Sequence, residues 1–266
     1  MDDAARAQLF ARVRAADLAL ALARSPDVVP WRFGRAVFDP VYRHSYDDNH
    51  LLVEAPLDGA SFDDLAAAAD ELMAPRGLGH RRVDNLDPAD DARLRPAFEA
   101  AGWRRDHDTW MVARRPPDRP APAGLAREVA WAELRGTVET STAREPYATD
   151  REVVRQLVDR MERIRAAATV RHFAVAAPNG AGFAAYCHLF RGVAPGCAQV
   201  EEVATLQEWR GRGFARAVVL AAVDAAGAAG ADCTWLYADE EDWPKELYRK
   251  LGFDEVGRSV TWTRWG

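Results

Sequence analysis

The sequence is poor in cysteine and in lysine. Its three cysteines, Cys187, Cys197 and Cys233, lie far apart without a CxxC pair, a pattern that predicts reduced, buried thiols of a cytoplasmic protein. The lysines are Lys245 and Lys250 alone, so arginine supplies nearly all the positive charge. Because the formal net charge is -6 and the pI is about 5.6, no basic surface is indicated and we expect no nucleic-acid partner.

Long apolar runs are absent as well. No run approaches the roughly 20 residues of a membrane helix, and the longest apolar stretch, 15–23, contains Asp17. The first residues lack the basic and then apolar pattern of a signal peptide. The six histidines show no metal-ligand spacing, and there is no G-x-S-x-G motif. We therefore expect a cytoplasmic protein with no membrane partner and no metal.

Proline is concentrated in one segment of the chain, 114–124, which reads RRPPDRPAPAG. Neither a helix nor a central strand continues through four prolines at this spacing, so the segment is predicted to be a linker. It separates a first half, residues 1–113, from a second half, residues 125–266. With 266 residues and 48% hydrophobic content, the chain has enough material for one large or two modest domains.

A candidate anion site lies in the second half. A predicted strand, 197–205, is followed by Arg210-Gly211-Arg212-Gly213 and then by an alanine-rich helix, 214–229. The first N–H groups of a helix have no internal acceptor and carry partial positive charge. The glycines allow close approach of a ligand and the arginines add full charges. A phosphate or a pyrophosphate is the expected ligand.

The residues after the last glycine exclude two common phosphate motifs. A Walker motif requires Lys and then Ser or Thr, whereas Phe214 and Ala215 stand here. A dinucleotide-binding fingerprint requires a third glycine or alanine where Arg216 stands. The pattern that fits is Arg-x-x-Gly-x-Ala, which resembles the acetyl-CoA pyrophosphate loop of the GNAT superfamily of N-acetyltransferases. The segment 247–253, LYRKLGF, is similar to the L-Y-x-x-x-G-F segment that closes the same fold.

The resemblance implies a fold of the α/β (α+β) class, with a mixed, mostly antiparallel sheet flanked by helices, as in the GNAT-like acyl-CoA N-acyltransferases. It also implies acetyl-CoA as co-substrate, with pantetheine against the strand ahead of the loop. The implied cofactor-binding residues are Val203, Ala204, Thr205, Arg210, Gly211, Arg212, Gly213, Phe214 and Ala215.

The first half ends as the second half ends, which predicts a tandem repeat. Phe98 precedes Gly102-Trp103 as Tyr248 precedes Gly252-Phe253, and a strand follows in both halves. Upstream, a helix at 61–73 and a strand at 80–85 complete the match. Where the loop should lie, the first half has 56–61, PLDGAS, which lacks arginine. We therefore expect a degenerate GNAT-like domain that packs and shapes the acceptor cleft.

Two residues are candidates for the chemistry of acetyl transfer. Strand alternation places Glu201 on the face of Val203 and Thr205 and places Glu202 on the other face, so Glu201 is the candidate general base. Glu202 and Asp239 are the alternatives. Tyr248, where the resemblance has its tyrosine, is the candidate general acid for the leaving thiolate, since a phenol is protonated at neutral pH.

Two further helix starts are predicted in the second half. Asp150 precedes residues with a helical apolar spacing that extends to Ile164, and Asp242 precedes Pro244.

The expected function is N-acetyl transfer from acetyl-CoA to a primary amine of a small molecule or a peptide. The alternative is a non-catalytic acyl-CoA-binding or regulatory protein of the same fold. A monomer or a dimer is expected, and the monomer is slightly favoured because the two halves of one chain can occupy the places of two subunits.

Overall fold

The computed structural model describes residues 1–265, which form one mixed sheet of eleven strands flanked by eight helices. The helices are α1 Asp3–Arg24, α2 Phe62–Met73, α3 Pro88–Ala100, α4 Trp131–Thr142, α5 Arg151–Asp159, α6 Met161–Ala167, α7 Phe214–Ala228 and α8 Pro244–Lys250. The strands are β1 Asp27–Trp31, β2 Gly34–Phe38, β3 His50–Val53, β4 His80–Leu86, β5 Arg104–Ala113, β6 Arg127–Val129, β7 Thr169–Ala176, β8 Phe183–Arg191, β9 Cys197–Thr205, β10 Cys233–Asp239 and β11 Phe253–Trp265.

The predicted fold class is confirmed. The strand order is β1-β2-β3-β4-β11-β5-β10-β9-β8-β7-β6, and neighbours are antiparallel except in the pairs β3–β4 and β9–β10. Each parallel pair is joined by a helix, α2 in the first half and α7 in the second. In both halves a further helix and an antiparallel strand follow, as the repeat predicts. The order β3-α2-β4-α3-β5 thus recurs as β9-α7-β10-α8-β11.

The two halves exchange their last strands. Strand β5 lies between β10 and β11, with Val112 opposite Trp235, while β11 lies between β4 and β5, with Trp262 opposite Val83. The side chain of Trp262 is fully buried in the core of the first half, and its ring stacks on Phe98 at 4.7 Å. The sheet is therefore continuous across the predicted boundary. The limits 1–113 and 125–266 stay a prediction.

The proline-rich segment 114–124 is held against the second half. The backbone N–H of Asp118 donates to the carbonyl of Lys250 at 2.8 Å, and buried Arg216 donates to the carbonyl of Arg119 at 3.0 Å. Gly252 has a φ of +94°, and a Cβ there would lie 2.0 Å from the carbonyl oxygen of Arg115. Glycine is therefore required where the segment crosses the turn between α8 and β11.

Two predicted helix starts have different outcomes. Asp150 caps α5 by accepting the N–H groups of Glu152 and Val153, as predicted. The helix does not continue to Ile164 as one element, because α5 ends at Asp159 and α6 begins at Met161. The prediction for Asp242 is wrong: the N-cap of α8 is Trp243, and the Asp242 carboxylate accepts the N–H of Trp243 itself at 2.7 Å.

Candidate active site

Strands β9 and β10 form a crevice because they pair over only part of their length. The parallel register runs from Cys197 opposite Cys233 to Gln199 opposite Trp235. Beyond these residues β9 pairs with β8 and β10 with β5, so the facing edges of β9 and β10 separate. The predicted cofactor segment 203–205 lies on the open edge of β9. An open strand edge exposes N–H and C=O groups to which an extended ligand can bind.

A bulge at Glu202 changes which side chains of β9 share a face. Glu202 has a φ of +49°, and the register with β8 shifts there, so that Ala204 lies opposite Tyr186 and Glu201 lies opposite His188. Opposite residues in an antiparallel pair share a face. Glu201 therefore shares its face with Ala204 and not with Val203, which packs toward α7. The predicted simple alternation is wrong, because the extra residue of the bulge interrupts it.

The predicted anion loop lies at one end of the crevice, directly before α7. Gly211 and Gly213 have φ values of +77° and +79°, and nothing in the described part of the chain lies within 4 Å of the position of a Cβ on either. The guanidinium carbon of Arg212 lies 4.9 Å from the ring centroid of Trp209, while Arg210 donates to the carbonyl of Thr205 at 3.2 Å. The loop thus combines two exposed cations with open space above glycine backbone.

Tyr248 lies in α8 beside the crevice, with 7% of its surface exposed. It packs in the core cluster that also contains Val203 and Phe214, and its ring centroid lies 6.0 Å from that of Phe253. Burial, and secondly the charge of Glu201, raise the pKa of the Tyr248 phenol above its ordinary value. The phenol is therefore protonated throughout the neutral range.

Glu201 and Glu202 both face one cavity, but their surroundings differ. Burial raises the pKa of Glu201, whose carboxylate accepts hydrogen bonds from Gln199 Nε2 and from the Glu202 N–H, each at 2.9 Å. Burial also opposes ionisation of Glu202, yet His188 and Arg160, each with a nitrogen 3.3 Å from its carboxylate, lower its pKa to about 2. A carboxylate held in this way is a weak base. The alternative Asp239 is exposed and accepts the N–H of Glu241 at 2.7 Å.

The cavity has a volume of about 1020 Å³ and is lined by both halves of the chain. Within the described residues its lining includes ten carboxylates, which are Asp17, Asp47, Asp84, Asp106, Asp108, Glu145, Asp150, Glu201, Glu202 and Asp239. Four arginines also line it, which are Arg24, Arg82, Arg104 and Arg160. The surplus of negative charge favours a cationic ligand. Sequence reasoning missed this cavity, because its walls come from segments far apart in the chain.

The matching position in the first half is bridged by a side chain. Arg14 of α1 donates through Nη2 to the carbonyl of Val53 at 3.1 Å and to that of Asn85 at 3.0 Å. These carbonyls lie at the ends of β3 and β4, where β9 and β10 separate in the second half. Phe98 stands at the position of Tyr248 and packs against Trp262. The first parallel pair therefore lacks the open crevice of the second.

The segment that contains the crevice matches a known protein family. Residues 169–255 match the family model for an acetyltransferase (GNAT) domain. The match extends from β7 to the start of β11 and includes the bulge, the anion loop and Tyr248. Residues 169–255 are therefore similar to a GNAT domain.

Several solved structures are similar to this chain in fold over most of its length. A protein of unknown function from Staphylococcus epidermidis has a TM-score of 0.67 at 10% identity, with coverage of 90% of this chain and 94% of that one. A GCN5-related N-acetyltransferase from Kribbella flavida has a TM-score of 0.60 at 19% identity, with coverage of 96% and 95%. A tandem GNAT protein of the clavulanic acid biosynthesis pathway has a TM-score of 0.54 at 18% identity, with coverage of 80% and 74%.

No curated protein matches the chain. Across residues 1–265 no helix is both long and apolar enough to span a membrane. The same residues contain no group of three or more histidine, cysteine, aspartate or glutamate side chains arranged to hold a metal ion.

Proposed function

We propose that the GNAT domain transfers the acetyl group of acetyl-CoA to a primary amine of a small molecule or a peptide. The observation that carries this proposal is the separation of β9 from β10 beyond Gln199 and Trp235, which opens a crevice that leads to the anion loop. Acetyl-CoA bound in this crevice has its thioester beside the acidic cavity and its phosphates at the start of α7.

The chain offers matching groups along the length of the cofactor. Arg210, Arg212 and the N–H groups from Gly211 to Ala215 would bind the pyrophosphate, since the space above both glycines is open. The backbone of Val203, Ala204 and Thr205 would pair with the pantetheine amides in the manner of an added strand. The donors thus lie in the order in which the cofactor presents its acceptors.

The chemistry is a direct transfer. Glu201 accepts a proton from the ammonium form of the acceptor, so that the neutral nitrogen forms a bond with the acetyl carbonyl carbon while the carbon–sulfur bond breaks. A backbone N–H of the segment 203–205 stabilises the charge that develops on the carbonyl oxygen. Tyr248 donates its proton to the leaving thiolate. The nitrogen of the new amide loses a proton to solvent, and solvent returns a proton to the Tyr248 phenolate.

Titration calorimetry with acetyl-CoA tests the proposal. The wild-type chain should bind with micromolar affinity, about −8 kcal/mol. Gly213→Glu should abolish binding, because the new carboxylate fills the space above the loop and repels phosphate. Release of free thiol with a panel of amines then tests transfer.

Gly180→Glu is the matched control. Gly180 has a φ of +77° in the turn between β7 and β8, and a Cβ there meets nothing within 4 Å in the described structure. The backbone cost of both substitutions is therefore similar, while only Gly213 lies in the loop. Failure of the wild type to bind, or equal affinities for the two variants, would contradict the proposed site.

A further inference from the structure

Two carboxylates lie directly opposite each other on the wall of the cavity. Asp108 of β5 and Asp239 of β10 are partners in the antiparallel register, and both line the cavity. Directly opposite residues have Cβ atoms about 5 Å apart, and like charges there destabilise a sheet. No arginine or histidine of residues 1–265 forms an ion pair with either one. A cation between them would remove the repulsion.

The arginines of the cavity are paired with carboxylates other than Asp108 and Asp239. Arg24 lies 3.0 Å from Asp48, and Arg160 lies 3.2 Å from the same carboxylate. Arg82 lies 3.3 Å from Asp84. Arg104 lies 3.1 Å from Asp106. Asp17 of α1, which also lines the cavity, makes no ion pair among the described residues either. The lining carboxylates Glu145, Asp150 and Glu201 also make no ion pair among the described residues, so the excess negative charge includes Asp17, Asp108 and Asp239 but is not confined to them.

Buried acceptor atoms without partners line the same cavity. Gln199 is 5% exposed and Thr263 is 1% exposed, and neither Gln199 Oε1 nor Thr263 Oγ1 has a hydrogen-bond partner in the part of the chain that the structure describes. Gln199 Nε2 already donates to Glu201, so its carbonyl oxygen is left to accept. Unpaired buried acceptors beside carboxylates favour a ligand with several N–H donors.

An aromatic surface connects the paired aspartates with Glu201. Trp110 follows Asp108 by two residues in β5 and therefore shares its face, and it lies opposite Tyr237 of β10. The two ring centroids are 5.5 Å apart, and Tyr237 and Glu201 both line the cavity. Methylene groups and cations both pack favourably on such rings. Because β9 and β10 separate beyond Gln199, Glu201 lies more than two strand spacings, roughly 10 Å, from β5.

We propose that the acceptor is a linear diamine or polyamine, whose reacting amine lies at Glu201 and whose second ammonium group binds between Asp108 and Asp239. The inference rests on the proposed function, because it assigns the substrate class of the same site. The hydrocarbon chain between the two nitrogens lies on Tyr237, which is 38% exposed. A monoamine of equal length fills the same space and leaves the aspartate pair without a cation.

Calorimetric titration of the full chain with 1,6-diaminohexane and with 1-aminohexane tests this. The diamine should bind at least about tenfold more tightly, since charge-assisted hydrogen bonds from its second ammonium group to two carboxylates are worth a factor of that order. Asp108→Asn, which preserves the shape of the side chain, should bring the ratio of the two affinities close to one. Asp239→Asn should do the same. Asp224→Asn, at an exposed carboxylate of α7, is the control and should preserve the ratio.

Equal affinities of the wild type for the two amines, or an unchanged ratio in both aspartate variants, would overturn the inference. Thiol release from acetyl-CoA with the same amines separates the two proposals. Acetylation of both amines at similar kcat/KM would leave the proposed function standing and refute the preference for a dication. Tight binding of the diamine without acetylation of any amine would support the cation site and refute the transferase.

Discussion

Truncation of Trp262 to alanine tests the exchange of strands between the two halves. Trp262 belongs to β11 but is fully buried in the core of the first half. Removing a buried aromatic ring of this size costs about 3–5 kcal/mol. The indole N–H also donates to Asp91 at 3.0 Å, and its loss adds about 1 kcal/mol. Asp91 keeps Arg95 and Arg105 as partners at 2.7 and 2.8 Å, so no unpaired charge is created.

The expected loss, about 4–6 kcal/mol, is a large part of the 5–15 kcal/mol typical of a folded domain. Urea unfolding followed by circular dichroism measures it, and hydrogen exchange read by mass spectrometry shows where protection is lost. Exchange should accelerate in β4 and α3 of the first half as well as in β11. Trp262→Phe keeps a ring against Phe98 and should cost less than half as much.

Trp243→Ala is the control, because that side chain is 63% exposed. It should change the free energy of unfolding by less than about 0.5 kcal/mol. A loss below about 1 kcal/mol in Trp262→Ala, or faster exchange confined to β11, would refute the conclusion that the last strand completes the core of the first half.

Two further predictions concern the site. Tyr248→Phe should keep the affinity for acetyl-CoA and lower kcat by about a hundredfold or more, as expected for loss of a general acid. Equal kcat values of the variant and the wild type in a thiol-release assay would refute the assignment of Tyr248 as the general acid. Burial, together with the charge of Asp84, raises the pKa of Asp108 from 3.8 to about 7, so the folded state holds a proton that the unfolded chain releases. The stability of the folded wild-type protein therefore falls as the pH rises from about 4 to about 7. The Tm of Asp108→Asn should exceed the Tm of the wild type by a margin that grows across this pH window and stays constant above it. Parallel curves of Tm against pH for the wild type and Asp108→Asn would contradict the raised pKa of Asp108.

Local features were predictable because neighbouring residues determine them. The limits of β9, 197–205, follow from the apolar run and its flanking turns, and the start of α2 follows from Ser61 and Asp64, which form a capping box. The start of α7 at Phe214 follows from the glycines that precede it. These signals lie within a few residues of the features they specify.

The arrangement of the site depended on contacts that the sequence does not display. A bulge needs one residue in a left-handed conformation, and Glu202 gives no sign of it, since glutamate rarely adopts a φ of +49°. The alternation of apolar and polar residues also indicates which face of the sheet each strand residue occupies. It does not indicate which strands lie next to each other. The insertion of β11 between β4 and β5 was therefore beyond sequence reasoning. So was the cavity, whose carboxylates Asp17 and Asp108 acquire their role only from that strand order.

The exchange of last strands also constrains how the protein is made. Synthesis proceeds from the N-terminus, and the first half of a two-part chain ordinarily folds as soon as it emerges. Here Trp262, a central residue of the first core, emerges more than a hundred residues after β5 has been made. Until then β4 and β5 lack the strand that separates them and present unpaired edges. The first half therefore completes its fold only after the second half has been synthesised, so the ribosome releases two domains that become native together.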